Sequence, residues 1–565
     1  MKAIRLFAVL TLSFLIIATL AIWWSWPDKV DMARYAPADA LVYIEVNNLA
    51  DVTTALKDTE IIRTISPALG ITSTSGSRWS LLAAKAGIAP AQTVIFSRAQ
   101  LVLVVLGVDT QTSEDALRIK PEAALIIETQ TPKWRMRSVA VENIKRLAQF
   151  AYGNATCVER NGEMDYVECT EPARSRKLIG AIEGSTVIIG NSEKTVASCL
   201  AVRRGQRPNL SSDSDLIRSR KDLQGESALG FGYVSPANSA RLVSLGIPLL
   251  MGKAPGDSQF EDLLTRSAAK VLRGIAWTSK FKAGKIEDHY QISLDPQVAA
   301  RLGPAFEIAE DDDTFWKLVP ASFRSLTIYR SKDPQAAWFS LDSAASMKLD
   351  AVSTVVIASL LKSGLSSYGF ENPKDSLATM APPLVTIRPA LGEGSLLLGR
   401  VKNEQQLRKI LATAFVEPKK GQILSGLESQ PNREKEFTAI FVEGFLVVGR
   451  TEQILVYLDQ LRHAETLTGF QPLSLSQHPG SAIVTYTNER DTISSIITGL
   501  AQLNGQKLSQ NAVEAIEAKL TNDTIASTES RLNEQGIDRR TLSAFGQFGF
   551  LVSLAIADSS NSSGR

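Results

Sequence analysis

The residues with the most obvious chemical potential are a serine and a lysine three positions apart. Ser267-Ala268-Ala269-Lys270 fits the Ser-x-x-Lys spacing, in which a nearby amine activates a serine hydroxyl for nucleophilic attack. The stretch has a strongly helical pattern. The Ser-Asp-Asn and Lys-Thr-Gly motifs that accompany this spacing in its best-known enzyme class are absent from the sequence, so this motif by itself is weak evidence for an enzyme.

Other catalytic constellations are equally weak. Glu287-Asp288 and the pair Glu159 and Glu163 supply the carboxylates that a glycosidase needs, but their patterns predict exposed hairpins. Gly392-Glu393-Gly394 lacks the Lys-Ser/Thr of a phosphate-binding loop, and turn chemistry explains it better. The few histidines share no ligand spacing: His289, His463 and His478. We therefore predict no metal site, no cofactor and no catalytic residue.

Two cysteines predict a disulfide. Cys157 and Cys169 flank a hairpin pattern, and a two-residue Asn161-Gly162 turn would place Cys157 opposite Tyr166. A five-residue loop, Asn161–Asp165, places Cys157 opposite Cys169 instead. We prefer this register because an oxidising compartment favours the bond, and the alternative is a surface hairpin with two unpaired cysteines.

Segments that recur in the same order indicate an internal duplication. The repeated pairs are Pro37–Val46 with Pro320–Tyr329, Glu183–Glu193 with Glu443–Glu452, Ala228–Val234 with Ala482–Thr487, and Ile275–Thr278 with Ile525–Thr528. The Glu-Gly pair at the second segment predicts a hairpin turn, a strand and then a helix with a hydroxyl N-cap. Short turns between neighbouring strands favour antiparallel pairing. The predicted class is α+β, with a largely antiparallel sheet covered by helices in each copy.

The predicted boundaries follow from this repeat and from the apolar N-terminus. They are a cytoplasmic stub at 1–5, a transmembrane signal anchor at 6–26, a first α+β module at 30–305, an acidic linker at 306–314, a second α+β module at 315–558, and a disordered tail at 559–565. The linker contains Glu310-Asp311-Asp312-Asp313, which we interpret as solvated rather than as a cation site.

The anchor prediction rests on length and flanks. Leu6 to Trp26 carries no charged side chain, and about 20 helical residues span roughly 30 Å of hydrocarbon. Lys2 and Arg5 keep the N-terminus cytoplasmic, and three tryptophans end the segment at the lipid–water interface. The alternatives are a cleaved signal peptide, with a passable site at Thr19-Leu20-Ala21, and a buried soluble helix. We predict a single-pass inner-membrane protein with its bulk in the periplasm or otherwise outside the cytoplasm.

A basic cluster in the first copy is a candidate for binding an anionic surface, either lipid or an acidic envelope polymer. Its residues are Arg174, Arg176, Lys177, Arg203, Arg204, Arg207, Arg218, Arg220 and Lys221. The corresponding part of the second copy, His463–Pro479, is nearly uncharged. The alternative is a set of separate arginines on solvated faces. The net charge of +2 gives no support for nucleic-acid binding.

The start of the first strand resembles that of an uncharacterised family of exported, membrane-anchored bacterial proteins. The similarity lies in Pro37-Ala38-Asp39 directly after the export segment, and in the Gly-rich hairpin before the capped helix at Gly190–Glu193. This resemblance implies location and architecture, and it carries no activity.

Three functions are consistent with these features. The first is a membrane-tethered binding, scaffolding or assembly protein of the cell envelope, with an envelope protein or anionic polymer as its partner. The second is an envelope hydrolase that uses Ser267 and Lys270 or a carboxylate pair. The third is a carrier of an apolar ligand, which requires a large apolar cavity between sheet and helices.

Overall fold

The strands of this protein arise from short β-branched segments whose side chains alternate between two faces. The computed structural model describes residues 29–68, 99–113, 116–160, 164–171, 176–250, 258–310, 313–347, 365, 368, 370, 372–390, 394–416, 426–429, 437–463, 479–503, 510–517, 520 and 524–549. The predicted anchor at 6–26, Asp311-Asp312 of the acidic run, and the predicted tail at 559–565 lie outside these residues. Among the described helices, none is long and apolar enough to cross a membrane.

The first half of the fold, residues 29–310, contains ten strands and eight α-helices among its described residues. The strands are β1 Val42–Val46, β2 Gln100–Ser113, β3 Ala116–Glu128, β4 Thr156–Arg160, β5 Asp165–Glu171, β6 Arg176–Glu183, β7 Thr186–Gly190, β8 Gly230–Val234, β9 Leu272–Lys282 and β10 Lys285–Leu294. The helices are α1 Leu49–Lys57, α2 Glu60–Ala68, α3 Lys133–Tyr152, α4 Glu193–Arg203, α5 Ser214–Asp222, α6 Pro236–Leu250, α7 Ser258–Val271 and α8 Pro296–Phe306. Three 3₁₀ helices span Met32–Tyr35, Leu210–Ser212 and Gly225–Ser227.

The second half, residues 313–549, begins with a 3₁₀ helix at Asp313–Leu318. Its strands are β11 Phe323–Tyr329, β12 Met380–Pro389, β13 Leu396–Val401, β14 Phe415–Val416, β15 Gly426–Ser429, β16 Phe437–Val442, β17 Phe445–Arg450, β18 Ile483–Asn488, β19 Ile525–Asn533 and β20 Gly536–Ser543. Its described α-helices are α9 Pro334–Ser346, α10 Pro373–Ala378, α11 Glu404–Leu411, α12 Thr451–Arg462, α13 Arg490–Leu503 and α14 Gln510–Glu517.

All 20 strands of the described residues lie in one antiparallel sheet. From edge to edge the order is β4-β5-β6-β7-β3-β2-β1-β8-β9-β10-β20-β19-β18-β11-β12-β13-β17-β16-β15-β14. The strand order of the first half therefore recurs in the second half, in reverse across the sheet. The α+β class and the antiparallel pairing are confirmed, but the sheet is continuous, whereas the sequence suggested a sheet in each copy.

The seam between the halves is the ladder between β10 and β20. It pairs eight residues of each strand, from Ile286 opposite Ser543 to Ser293 opposite Gly536. His289 Nε2 lies 2.5 Å from Asp538 Oδ2 across this ladder. Because backbone hydrogen bonds cross the seam, the two halves are joined by a β-ladder and not by side-chain contacts alone.

Apolar side chains reinforce the seam on either side of the ladder. One cluster joins isoleucines of α2 to isoleucines of α13 and to Phe545: Ile61, Ile62, Ile65, Ile493, Ile496 and Ile497. A second cluster joins Val298 and Leu302 of α8 to Ala344 of α9, with Leu532 and Ile537 packed against it. The hydrophobic core is thus shared between the halves at this point.

The predicted disulfide is confirmed. Cys157 of β4 lies opposite Cys169 of β5, in the register that the longer loop requires, and the S–S distance is 2.03 Å. In the second half, Phe415 of β14 lies opposite Ser429 of β15 at the same place in the strand order. Four strands, β4 to β7, lie between α3 and α4, and the disulfide hairpin contributes the first two of them.

The two repeated helices begin differently from one another. At α4 the hydroxyl of Ser192 accepts a hydrogen bond from the Thr195 amide at 3.2 Å, as an N-cap serine should. At α12 the predicted cap Thr451 is already inside the helix, and Arg450 occupies the cap position without a side-chain bond. The Thr451 hydroxyl instead bonds with that of Thr438 at 2.9 Å, so a cross-strand partner replaces the cap.

A buried carboxylate lies beside the seam. Asp288 of β10 accepts hydrogen bonds from the Ser279 hydroxyl at 2.5 Å and from the Gln547 amide at 2.9 Å. Gly546 adopts φ +55°, and a Cβ there would lie 2.8 Å from Asp288 Oδ2, so this position favours glycine. Burial raises the pKa of Asp288 to about 6, and its two hydrogen bonds offset only part of that effect.

The raised pKa of Asp288 makes the stability of the fold depend on pH. The folded protein keeps this proton between about pH 4 and pH 6, where an unfolded aspartate has lost it, so the free energy of unfolding falls as the pH rises through that window. Asp288→Asn removes this contribution. In urea unfolding of the full chain, the free energy of unfolding of the variant should rise by about 2 to 3 kcal/mol relative to wild type between pH 4 and pH 7. Asp51→Asn, at an exposed position, should show no such gain, and an equal response of both variants would contradict the assignment.

Candidate functional site

A cavity of about 670 Å³ lies in the second half, between one face of the sheet and α9. Such a volume falls in the range of small-molecule sites. Its lining is mostly apolar: Ala305, Phe306, Ser325, Thr327, Tyr329, Ser331, Pro334, Ala337, Trp338, Leu341, Leu365, Tyr368, Leu377, Leu384, Thr386, Arg388, Ser395, Leu397, Ala482 and Ile483. Ala305 and Phe306 belong to α8, so the first half supplies one end of the wall.

Strand alternation decides which side chains line this cavity. Along β11, Ser325, Thr327 and Tyr329 point to the cavity, while Leu326 and Ile328 are fully buried in the core on the other face. Along β12, Leu384, Thr386 and Arg388 alternate in the same way with buried core residues. Small hydroxyl side chains on this face leave space that larger apolar residues would fill.

The opposite wall is α9, which has a well-formed start. The side chain of Asp333 accepts bonds from the amides of Gln335 and Ala336 at 2.9 and 3.1 Å, and Pro334 occupies the first helical turn. This start fixes the helix so that Ala337, Trp338 and Leu341 face the cavity.

The polar groups of the cavity include a hydrogen-bonded pair of hydroxyls and a cation. Tyr368 and Ser395 are hydrogen-bonded through their hydroxyls. Burial raises the pKa of Tyr368 more than the bond with Ser395 and the charge of Arg388 lower it. The phenol is therefore neutral at ordinary pH. Among the lining residues that the structure describes, Arg388 is the one charged side chain, and it is exposed. The cavity therefore offers an apolar interior whose polar contacts are several hydroxyl groups and the Arg388 guanidinium.

The serine and lysine of the Ser-x-x-Lys motif do not form a site. Ser267 is 6 % exposed, and its hydroxyl has no hydrogen-bond partner. Lys270 is exposed on the same helix, α7. Among the described residues no group forms a hydrogen bond with the Ser267 hydroxyl, so none of them is placed to activate it as a nucleophile.

The described carboxylates Glu159, Glu287 and Asp288 do not line the cavity beneath α9. Glu287 bonds with Lys282 on the exposed side of β10, while Asp288 is buried beside the seam. Glu159 pairs with Lys145, and Glu163 lies outside the described residues. The hairpins predicted around these residues are present, but the expected exposure is wrong for Asp288, which is 2 % exposed.

Most of the basic cluster is neutralised within the protein. Seven members pair with carboxylates: Arg176 with Glu171, Lys177 with Glu168, Arg203 with Glu183 and Glu128, Arg204 with Glu183, Arg207 with Asp39, Arg218 with Asp215, and Arg220 with Asp31 and Glu45. Lys221 is exposed, and Arg174 lies outside the described residues. Binding of an anionic surface by this cluster stays a prediction, and these pairs weigh against it.

Arg220 is the most informative member, because it lies in a buried polar network. Its guanidinium bonds with Glu45 at 2.9 Å and with Asp31 at 3.0 Å, and it lies over the ring of Phe231. The Tyr43 hydroxyl donates to Glu45. Burial raises the pKa of Glu45, and the charge of Arg220 opposes that rise. The network ties α5 to β1 and to the chain segment that enters the fold.

The second half has an apolar pair where the first half has this network. Tyr43 and Glu45 face Tyr233 and Phe231 of β8. At the same places in the second half, Leu326 and Ile328 face Tyr486 and Val484 of β18, and both are fully buried. The same strand position therefore accepts either a buried ion pair or plain aliphatic packing.

Comparison of the chain with known protein families, with curated proteins and with solved structures found no match. The resemblance based on Pro37-Ala38-Asp39 therefore stays a prediction. Sequence reasoning did not locate the cavity. The only local signal was the run of Ser325 and Thr327 in β11, where small polar residues replace the aliphatic ones usual on a covered face.

The network predicts that a single and a triple substitution lower the free energy of unfolding by different amounts. Arg220→Met leaves the buried Glu45 carboxylate without its cation and should lower the free energy of unfolding by about 3 kcal/mol. The triple variant Tyr43→Leu, Glu45→Ile and Arg220→Met copies the packing of the second half. Its free energy of unfolding should fall by less than that of Arg220→Met alone. Urea unfolding of the full chain measures both. A triple variant that is less stable than the single one would mean that the apolar packing cannot substitute here.

Proposed function

We propose that the protein is a membrane-tethered, extracytoplasmic binding protein of the cell envelope, and that its second half holds a small amphipathic molecule. The cavity beneath α9 is the observation that carries this proposal. It has the size and apolar lining of a ligand site, together with a few convergent polar groups. This function combines the binding protein and the apolar-ligand carrier that the sequence suggested.

The location is supported by two independent features. The apolar segment at 6–26 has the length and flanking charges of a signal anchor. The Cys157–Cys169 disulfide is typical of compartments outside the reducing cytoplasm. Together they favour a single pass through the inner membrane with the folded part outside.

The ligand class follows from the charges. An apolar chain fits the side chains of Trp338, Leu384 and Leu397, while an anionic group would meet Arg388 and the Tyr368 hydroxyl. Among the described residues no carboxylate lies within ion-pair distance of Arg388. A fatty acid or a similar long-chain anion has this chemistry.

The hydrolase alternative has no observation in its favour, because Ser267 is buried and alone. We also infer that the halves are two copies of one module, supported by their matching strand order. The copies have diverged: the buried ion pair of Glu45 and Arg220 has no counterpart at Leu326 and Ile328.

Filling the cavity tests the site. Ala337→Phe adds a ring from the α9 wall and should weaken binding of cis-parinaric acid, a fluorescent long-chain fatty acid, by about tenfold or more, equivalent to at least 1.4 kcal/mol. Fluorescence titration of the full chain in detergent measures this. Ala269→Phe, at an exposed alanine of α7, is the matched control. Ser325→Phe fills the cavity from the sheet side if the first variant does not fold. Folded variants that bind the probe as wild type does would refute the site.

Removing the charge tests the orientation of the ligand. Because Arg388 is exposed, its attraction for a carboxylate is screened, and Arg388→Gln should weaken binding of the acid only about two- to fivefold. The methyl ester of the same fatty acid should bind both proteins equally. Arg324→Gln, at an exposed arginine of β11 outside the lining, should change neither affinity. An equal loss for acid and ester would show that Arg388 contributes by packing rather than by charge.

A further inference from the structure

The chain is fixed to the fold immediately after the predicted anchor. Gln100 binds both backbone groups of Val30: it accepts from the amide and donates to the carbonyl, each at 2.9 Å. Asp31 accepts from Arg220 at 3.0 Å. Only three residues separate Trp26, the last residue of the predicted anchor, from Val30. At about 3.5 Å per residue, Val30 lies within roughly 14 Å of the anchor's end.

The surface around Val30 is therefore the surface nearest the membrane. Gln100 is the first residue of β2 and lies opposite Glu128, the last residue of β3. The Thr129 amide donates to Ser185, in the turn between β6 and β7. The helix α3 begins at Lys133 on this same end of the sheet. We call this end, from Val30 and Gln100 to the start of α3, the anchor end.

A tryptophan projects from the anchor end into solvent. Trp134, in the first turn of α3, is 77 % exposed, more than any other large apolar side chain of the described residues. Indole rings favour the lipid–water interface, where an apolar body and an N–H group are both accommodated. An exposure of this size costs free energy in water and is relieved at a membrane surface.

Two partly exposed cations lie beside Trp134 in α3. Lys133 and Arg137 both lie 3.3 Å from Asp165, so two cations share one carboxylate. Each cation remains about two-fifths exposed. The exposed parts of these cations are attracted to the anionic headgroups of a bacterial membrane, with an effect that salt weakens.

We propose that the anchor end docks on the membrane that holds residues 6–26, with Trp134 inserted among the lipid headgroups. This rests on the proposed signal anchor. The folded part then has one fixed orientation, with α3 against the lipid, in place of free rotation on a tether. The proximity of Val30 and the exposure of Trp134 both point to the same surface.

The test places a nitroxide label near Trp134 while keeping the indole. Ser138 is exposed one turn further along α3, and Ser138→Cys provides the attachment point. Burial raises the pKa of Cys199 to about 12, so this cysteine does not compete for the label. The full chain is reconstituted in vesicles of phosphatidylethanolamine and phosphatidylglycerol. Collision rates with oxygen, which concentrates in lipid, and with a water-soluble nickel chelate then report the depth of the label.

The expected oxygen-to-nickel ratio at position 138 is several-fold higher than at Leu455→Cys, an exposed position of α12 in the second half. Trp134→Ser should return the ratio at 138 to the Leu455→Cys value. An Ala18→Cys label reports the anchor itself. If the label at position 18 is in lipid but the ratio at position 138 equals that at position 455, docking is refuted and the anchor stands. If the label at position 18 is also in water, the proposed anchor itself is refuted. Shielding of 138 from both reagents would indicate a protein contact, including a second copy of this chain, and would overturn the proposal.

Discussion

The backbone ladder between β10 and β20 is the interaction on which the remainder of the fold depends. An unpaired strand edge exposes a row of amide and carbonyl groups that would pair with another chain. By pairing their last strands, the halves remove two such edges at once. Among the described residues the remaining edge strands are β4, which is crosslinked to β5 by the disulfide, and β14. A crosslink of this kind restrains an edge strand and limits unwanted pairing.

The seam also explains why the halves can differ elsewhere. Since the ladder and the clusters around Ile61 and Leu302 hold the halves together, each half can vary on the faces that do not touch the seam. The first half uses its buried position on β1 for the ion pair of Glu45 and Arg220. The second half has aliphatic packing there and opens a cavity on the other face of β11. A duplicated frame with one half adapted for binding would produce this division.

The two proposals place different tasks at separate parts of the molecule. The cavity belongs to the second half, closed at one end by α8, whereas Val30, Gln100 and Trp134 lie in the first half. A first half that fixes orientation at the membrane leaves the second half free to exchange a ligand. Because the sheet is continuous across β10 and β20, orienting one half orients the other.

Sequence patterns were sufficient for features that depend on local chemistry. Spacing predicted the Cys157–Cys169 pair and its register, and turn residues predicted the antiparallel class and the helix at Glu193. The length of the apolar segment and its flanking residues predicted the anchor, which lies outside the described residues and stays a prediction. Tertiary structure decided what depends on distant contacts. Whether Ser267 is exposed, whether an arginine such as Arg220 is paired, and how the halves join all depend on residues far away in sequence. The cavity is the clearest case, because it is formed by residues that are far apart in sequence. It exists only where the small side chains of β11 face α9.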